Sequence, residues 1–326
     1  MAQIKLTDIL QKKVIFITGK GGVGKSTVSA GIAEYLSRNG ERVMAIDADP
    51  AHSLPDVFGI TNRVYDGKRG FSGNGKLLRV YDDAKADLLL LNPVCQRTNY
   101  TGPHQIMWLA ELGKELGFYS NLGRMSEFFT MADALCKSFH NYSHFVIDNE
   151  PSAGTLDMIE NIDGWLKGID SVRKYKTILQ MVLGTTIADK ELVREVKDLL
   201  FSQNGARIDN YKGLLSSVKQ LFKDEMHFEP IIVANPEDAV IRETHRLKQE
   251  LEERLNIQNR YIIFNKVSSD ESVNKLQLDK IKRFKDETGT TCFTIPSLDS
   301  RLIDLSNGNN ARKSLRRIIN EEVKSA

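Results

Sequence analysis

The sequence predicts an α/β protein with a doubly wound, mostly parallel sheet and an inserted all-helical subdomain. Short apolar segments, typical of strands that are covered on both faces, alternate with helical patterns along most of the chain. Strand signals almost vanish between residues 157 and 225, which predicts a helical insertion there. The predicted strands are 13–18, 42–47, 87–92, 144–148, 230–234, 260–265 and 291–296.

The composition is that of a soluble globular protein. Among 326 residues, 41% are hydrophobic and 27% are charged, and the net charge of +2 gives no reason to expect a nucleic-acid surface. No apolar run approaches the roughly 20 residues that span a membrane. The cysteines are odd in number and lack disulfide or metal-ligand spacing, which favours a reducing, cytoplasmic compartment; they are Cys95, Cys136 and Cys292.

A phosphate-binding loop follows the first predicted strand. Residues 19–27 read Gly-Lys-Gly-Gly-Val-Gly-Lys-Ser-Thr, which fits the pattern G-x-x-x-x-G-K-[ST], and a helical pattern follows until Asn39-Gly40. Glycines let backbone N–H groups crowd around phosphate oxygens at a helix N-terminus, where the helix dipole also favours an anion. Lys25 is expected to reach the β- and γ-phosphates, and the Ser26 hydroxyl to bind Mg²⁺. The predicted nucleotide contacts are Gly21, Gly22, Val23, Gly24, Lys25, Ser26 and Thr27.

Carboxylates follow two further predicted strands. Asp148 ends an apolar strand and is expected to hold Mg²⁺ directly or through its water, unless it only caps the strand end. Asp47 and Asp49 lie two residues apart, so in an extended chain their side chains point the same way. Asp49, fixed by the following proline, is the better candidate to orient the attacking water, and Asp47 would help to complete the metal shell. One of the two could instead be structural, and His52 is interpreted as a loop histidine.

The middle of the chain divides the predicted fold. Residues 61–76 carry several glycines and charges and are interpreted as a surface connection, whereas residues 104–141 have a helical pattern. We expect a nucleotide-binding core formed by residues 1–156 and 226–326 and a helical subdomain formed by 157–225, on which helices of 104–141 could pack.

Two apolar helical faces lie within the insertion. They are Leu192, Val193, Val196, Leu199 and Leu200, and Leu214, Leu215, Val218, Leu221 and Phe222. These faces, with the flexible Met181, could form a groove for a hydrophobic client segment, or they could be the core of the subdomain.

Asn265-Lys266 lies at a predicted strand end, a position typical of a base-reading corner. A guanine reader of the N-K-x-D type carries a carboxylate two residues after the lysine, and this chain has Ser268 there. The missing acceptor favours adenine and therefore ATP.

Lys20, directly after the first glycine, resembles the signature lysine of dimerising ATPases with a deviant Walker A loop. Residues 47–59 resemble the switch I segment of the arsenical-pump and tail-anchored-protein-targeting ATPases, and residues 228–251 resemble their strand–helix segment after the helical insertion. This resemblance implies the fold of phosphate-loop nucleoside triphosphatases and a homodimer in which Lys20 reaches the partner's nucleotide. It also implies that Asn265 contacts adenine and that Pro296 lies in the base-side loop.

The sequence departs from that family at three places. The switch II segment has Asn149-Glu150 where the family usually has Thr-Ala, and this pair resembles the nickel-insertion ATPase of carbon monoxide dehydrogenase maturation. The zinc-binding C-x-x-C of the eukaryotic targeting factor is absent. The dispersed cysteines also do not reproduce the thiolate cluster that a soft metalloid favours.

The predicted function is an ATP-hydrolysing homodimeric switch that uses ATP and Mg²⁺ to bind and deliver hydrophobic, tail-anchored membrane-protein clients. The main alternative is the soluble catalytic subunit of an arsenite or anion pump with a membrane-embedded partner. A metal-insertion or partitioning ATPase is a further alternative, and an apolar and basic pattern over 312–323 gives a faint version of a membrane-binding helix. A non-enzymatic scaffold would lack a catalytic group, whereas the predicted groups are all present.

Overall fold

The computed structural model describes residues 10–49, 53–61, 65–66, 70–71, 77–80, 85–90, 125–149, 152–174, 206–297 and 324–325. Predicted features in the remaining residues lie outside the described part of the chain. They include the apolar face of the insertion from Leu192 to Leu200, Met181, His52, Glu150 and the pattern over 312–323.

A nine-stranded sheet carries the fold, in the order β11-β10-β9-β8-β1-β7-β2-β6-β5. The seven strands from β10 to β6 pair in parallel, and β5 and β11 each pair antiparallel at an edge. The strands are β1 (Val14–Thr18), β2 (Val43–Ala48), β3 (Tyr65–Asp66), β4 (Gly70–Phe71), β5 (Leu77–Arg79), β6 (Ala86–Leu90), β7 (His144–Asn149), β8 (Phe228–Ala234), β9 (Tyr261–Val267), β10 (Thr291–Pro296) and β11 (Lys324–Ser325).

The predicted fold class is confirmed, and each of the seven predicted strands is observed in the parallel part of the sheet. Strands β1, β6, β7 and β8 are buried at every residue, as expected for strands covered on both faces. The short strands are additions: β3 and β4 form a separate two-stranded sheet within the predicted surface connection. Strands of two or three residues carry too little periodicity to be read from a sequence.

Seven helices accompany the sheet in the described part of the chain. They are α1 (Lys25–Arg38), α2 (Leu54–Val57), α3 (Met125–Ser138), α4 (Ser152–Lys174), α5 (Ala206–Phe222), α6 (Asp238–Gln249), continued by a π-helical turn at Glu250–Arg254, and α7 (Glu271–Thr288). Along the sheet, β1 leads through α1 towards β2, whereas β8 leads through α6 to β9 in the opposite direction. Right-handed crossovers therefore place α1 on one face and α6 and α7 on the other.

The chain forms two compact units. The first consists of Met1–Asn92, Ser138–Leu156 and Phe222–Ala326 and contains the sheet; the second consists of Pro93–Lys137 and Asp157–Leu221. In the first unit, the Phe16 ring packs 5.7 Å from the Phe222 ring and 5.5 Å from the Phe228 ring. The predicted division of the chain into functional domains stays a prediction.

The second unit has buried helix faces of its own. Phe128 and Trp165 pack with ring centroids 5.1 Å apart, and Leu215 and Val218 on α5 are fully buried. In the described part of this unit, no large hydrophobic side chain is among the exposed ones. The described apolar face of the insertion is therefore packed in this conformation. This agrees with the alternative in which the face belongs to the core of the subdomain.

Candidate functional site

The phosphate-binding loop leaves β1 at Gly19 and ends where α1 begins. Gly19, Gly22 and Gly24 have φ values of 140°, 79° and 96°, in the region that favours glycine. A Cβ on Gly19 would lie 2.1 Å from the carbonyl oxygen of Val233 on the neighbouring strand β8. The first glycine of the motif is therefore required by the close passage of the loop along β8.

The N-terminus of α1 faces the loop without a side-chain cap. Gly24 is the N-cap residue in the left-handed conformation, and the first turn contains no acidic residue. The N–H groups there are those that a phosphate would accept from. Lys25 begins the helix with a side chain that is 6% exposed, and its Nζ lies 3.4 Å from the carbonyl oxygen of Lys20. A buried ammonium group beside open N–H groups is an electropositive site for an anion.

Asn265 and Lys266 hold the loop from the end of β9. The Asn265 Nδ2 donates to the Val23 carbonyl oxygen at 2.9 Å, and the Lys266 Nζ donates to the Gly22 carbonyl oxygen at 2.8 Å. Lys266 has a φ of 59°, a conformation that is unusual for a residue other than glycine. These contacts give the pair a loop-positioning role, and the contact of Asn265 with adenine stays a prediction.

Asp148 lies at the carboxyl end of β7, beside β1 and β2. Its Oδ1 accepts a hydrogen bond from the Ser29 hydroxyl at 3.1 Å. Its Oδ2 is fully buried and accepts no hydrogen bond from the described residues. A buried carboxylate oxygen without a donor is costly unless a cation binds it, so this atom fits a Mg²⁺ ligand or a ligand of its water shell.

Burial, and then the negative charge of Asp47, raise the pKa of Asp148 to about 7, although Ser26, Lys25 and Ser29 lower it. Asp47 lies directly opposite Asp148 in the pairing of β2 with β7. Two carboxylates on directly paired residues of neighbouring strands repel each other. A divalent cation bound near them would relieve that repulsion.

Asp47 is turned toward the backbone of the segment that follows it. Its Oδ1 accepts from the Asp49 N–H and its Oδ2 from the Leu54 N–H, both at 3.3 Å. Asp47 thus holds the loop between β2 and α2, which is the structural alternative for this residue. The metal role of Asp47 and the water-orienting role of Asp49, which is half-buried, stay predictions.

The remaining predicted contacts lie at the same edge of the sheet. Ser26 and Thr27 are half-buried in the first turn of α1, Val23 is buried, and Gly21 is exposed. Pro296 is half-buried and ends β10, opposite Val267 of β9. The loop, Asp148 and the ends of β9 and β10 therefore lie at the carboxyl ends of parallel strands, where ligands of such sheets bind.

A model of the anion-transporting ATPase family matches residues 12–69 and 118–289, well over half of the chain. The chain belongs to the anion-transporting ATPase family. The matched regions contain the phosphate-binding loop, Asp47, Asp148 and the end of β9, whereas Pro296 lies beyond them.

Individual relatives are described as ATPases. An ATPase ASNA1 homolog of Plasmodium falciparum is 30% identical over 269 residues, covering 78% of this chain and 62% of that protein. An ATPase ASNA1 homolog of Cryptosporidium parvum is 26% identical over 265 residues, covering 78% and 65%. The chain thus spans somewhat less than two thirds of these two relatives. An ATPase get3 of Neurospora crassa is 26% identical over 296 residues, covering 84% and 82%.

Lys20 has an ion-pair partner within its own chain. The Lys20 Nζ lies 3.3 Å from the Glu243 Oε2 on α6, and both side chains are partly exposed. Sequence reasoning did not single out Glu243 as a partner, because 223 positions separate the pair in the sequence.

The structure explains one half of the Asn149-Glu150 pair, the first departure from the family pattern. Asn149 is buried at the end of β7, and its Nδ2 donates to the Ile17 carbonyl oxygen of β1 at 3.1 Å. The amide therefore ties β7 to β1 just before the phosphate-binding loop. Glu150, the other half of the departure, lies outside the described residues.

Two further polar residues at this edge were missed by the sequence analysis. Ser29 lies one turn after Ser26 on α1, so its contact with Asp148 could have been found from helical spacing. Asn235 follows β8 and is 8% exposed, and its Oδ1 is buried without a donor among the described residues. An asparagine after an apolar strand resembles an ordinary turn residue, so no sequence signal marks it.

The described cysteines are not poised as metal ligands. Burial and then the charge of Asp133 raise the pKa of Cys136, and burial raises the pKa of Cys292 to about 12. Both thiols are therefore protonated at neutral pH. Among the described residues, no group of three or more His, Cys, Asp or Glu side chains could hold a metal ion by itself. Cys95 lies outside the described residues.

Proposed function

We propose that this protein is an ATP-hydrolysing homodimeric switch of the cytoplasm that binds and delivers hydrophobic, tail-anchored membrane-protein clients. The observation that carries the proposal is the loop itself, in which Lys20 precedes a complete phosphate-binding site within an anion-transporting ATPase family member. A second lysine is not needed to cradle a phosphate in the same chain, since Lys25 already lies buried at the helix start. The position of Lys20 therefore supports a role toward a nucleotide in a second subunit.

In this mechanism, each group of the site has one task. The α1 N-terminus and Lys25 bind the phosphates, and Ser26 and Asp148 would hold Mg²⁺, which neutralises charge on the phosphate oxygens. Asp49 orients the attacking water and Asp47 holds the loop that carries Asp49. Asn265 and Lys266 keep the glycine-rich backbone in the binding conformation.

Client binding is supported by two observations. Residues 47–59 resemble the switch I segment of the pump and targeting ATPases, which narrows the function to those two groups. Cys95, Cys136 and Cys292 are dispersed in the sequence and do not form the clustered thiolate set that a soft metalloid favours, which argues against such a species as the transported one. In the part of the chain that the structure describes, no helix is both long and apolar enough to cross a bilayer.

A soluble pump subunit is the second candidate, and the description of the matched family as anion-transporting favours it. In that case a membrane-embedded partner would use the same ATP cycle to move an oxyanion or metalloid. The two candidates share the nucleotide site and differ in what the closed dimer engages.

The deciding experiment measures capture of a hydrophobic tail-anchor peptide by the Asp49→Asn protein with and without Mg·ATP. A peptide whose leucines are replaced by serine is the matched control, and arsenite stimulation of wild-type ATP hydrolysis is measured in parallel. ATP-dependent capture of the leucine peptide alone, without an arsenite effect, would support the client switch. Arsenite stimulation without capture would favour the pump, and neither effect would contradict both.

A further inference from the structure

A second recess lies between α6 and α7, apart from the nucleotide site. It is a cleft of about 390 Å³, and none of the residues that line it belongs to the nucleotide site described above. Arg242, His245 and Arg246 line it from α6, and Lys280, Arg283 and Phe284 line it from α7. We call it the α6–α7 groove.

The groove concentrates positive charge in a chain that is nearly neutral. Four basic residues line it, together with the carboxylates of Asp238 and Glu287, whereas the whole chain carries a net charge of only +2. Lys280 pairs with Asp238 at 2.7 Å. This hydrogen bond first, then the charges of Lys280, Arg242 and Arg283, hold the pKa of Asp238 below its usual range.

Two of the arginines form no close ion pair. Arg246 lies 3.7 Å from Glu250, whereas Arg242 and Arg283 form no ion pair within 4.0 Å among the described residues, although their charges act on Asp238. Both guanidinium groups are exposed and present planar donors that suit carboxylates. The charge of the groove is therefore complementary to an acidic ligand.

The bottom of the groove is apolar and aromatic. Phe284 is 2% exposed, and the His245 ring lies against it edge-on with centroids 5.8 Å apart. Ile241 is half-buried beside them. Such a surface offers contact to an aliphatic side chain as well as to a charged one.

The same face of α7 continues beyond the groove as an exposed apolar surface. Positions 273, 276, 280 and 283 follow helical spacing, and Val273 and Leu276 are 42% and 63% exposed. Of the five large exposed hydrophobic side chains in the described residues, Val273 and Leu276 lie on this face of α7, whereas Leu278 lies on the opposite side of the helix. Exposed apolar side chains that cluster beside a charged recess indicate a macromolecular contact.

We propose that the α6–α7 groove and the adjoining face of α7 bind a partner protein through a segment that carries acidic and aliphatic side chains. The acidic side chains pair with Arg242 and Arg283, and the aliphatic ones cover Val273 and Leu276. A free phosphate or nucleotide would leave these two apolar residues without contact, and a flat membrane surface does not enter a cleft. The partner is therefore a polypeptide, and this inference is independent of the client proposed above.

The test uses the full chain and a synthetic helical peptide with glutamate and leucine at helical spacing. Comparison probes are the same peptide with lysine for glutamate, a polyglutamate peptide, inorganic phosphate and phosphatidylserine vesicles. Binding is measured by fluorescence anisotropy, and hydrogen exchange locates the contact on α6 and α7. The variants are Arg242→Glu/Arg283→Glu and, as a matched control, Lys275→Glu/Lys282→Glu, which changes the net charge equally on α7 outside the groove.

We expect the glutamate–leucine peptide to bind at least about ten-fold more tightly than its lysine version. The groove variant should lose about ten-fold in affinity and the control variant should not. Absence of saturable binding, or binding that the groove variant leaves unchanged, would overturn the proposal. Equal binding of polyglutamate or phosphate would reduce the groove to an anion site, and preferential vesicle binding with the same arginine dependence would replace the protein partner by a membrane.

Discussion

The Lys20 ammonium group lies 3.3 Å from the Glu243 carboxylate of the same chain, joining the phosphate-binding loop to α6. If Lys20 serves the nucleotide of a second subunit, it must leave this pair when the dimer closes. Ion pairs of partly exposed side chains contribute only about 0–1 kcal/mol, so the pair can be exchanged at little cost. It orients the lysine without locking it.

The first prediction concerns Lys20. In the Asp49→Asn background, Lys20→Ala should weaken ATP-driven dimerisation by roughly ten-fold, because the charge directed at the partner's phosphates is lost. Glu243→Gln should change the ATP concentration needed for dimerisation by no more than about five-fold. Sedimentation velocity with and without ATP measures both, with Lys275→Ala as the control. Equal dimer populations for Lys20→Ala and its parent would remove the role in the partner's site.

The second prediction concerns Asp49. Asp49→Asn should lower the ATP hydrolysis rate by about 10²-fold or more, since an amide orients water less effectively than a carboxylate and cannot accept a proton. ATP binding should persist, because Lys25 and the loop backbone are unchanged. Steady-state phosphate release and binding of a fluorescent ATP analogue separate the two effects. Asp56→Asn, in the neighbouring helix α2, is the control, and normal turnover by Asp49→Asn would contradict the assignment.

The third prediction concerns the contact between Asn265 and the loop. Asn265→Ala removes the hydrogen bond to the Val23 carbonyl oxygen, which is worth about 0.5–1.5 kcal/mol. ATP affinity should fall by up to about ten-fold, because the loop backbone is less well held. Asn274→Ala, on α7, removes a similar bond to the Ser268 carbonyl oxygen and should leave ATP affinity unchanged. The loop-positioning role fails if the two variants bind ATP equally well.

The fourth prediction separates two requirements for glycine. Gly19→Ala should destabilise the fold by about 2–4 kcal/mol, because its Cβ would lie 2.1 Å from the Val233 carbonyl oxygen. Gly40 has a positive φ of 90°, but a Cβ added there would meet no atom within 4 Å. Gly40→Ala should therefore lower the free energy of unfolding by about 1–2 kcal/mol. Urea unfolding compares the two. Similar losses would show that conformation, rather than the approach of β8, fixes Gly19.

The fifth prediction concerns Glu229 on β8. Burial raises its pKa to about 7, against the lowering charges of Arg260 and Lys12. The folded state therefore binds more protons than the unfolded state between about pH 4.5 and pH 7. Stability from this group is present below that window and is lost as the pH rises through it.

Glu229→Gln should accordingly be more stable than wild type by about 1–3 kcal/mol above pH 7 and should gain little near pH 5. Urea unfolding across this range measures the difference. Glu225→Gln, an exposed neighbour of the same Arg260, should show no comparable gain. A constant difference at all pH values would contradict the protonation argument.

The sequence alone was sufficient for the main architecture and for the loop. Short runs of buried, mostly apolar residues such as those of β1, β7 and β8 carry their own signal, because parallel strands in such a sheet are covered on both faces. The phosphate-binding motif is local in the chain, and its strand, glycines and helix appear in the required order. The fold class and the family assignment rest on these local patterns.

The tertiary structure decided which polar side chains meet. The pairs Lys20–Glu243, Asn265–Val23 and Asp47–Asp148 are remote in sequence and become neighbours only through strand order and crossover connections. Side-chain direction at a strand end is likewise set by local turns, as the turned carboxylate of Asp47 illustrates. Periodicity determines which residues are buried, but contacts between distant segments depend on register and packing that a single sequence does not encode locally.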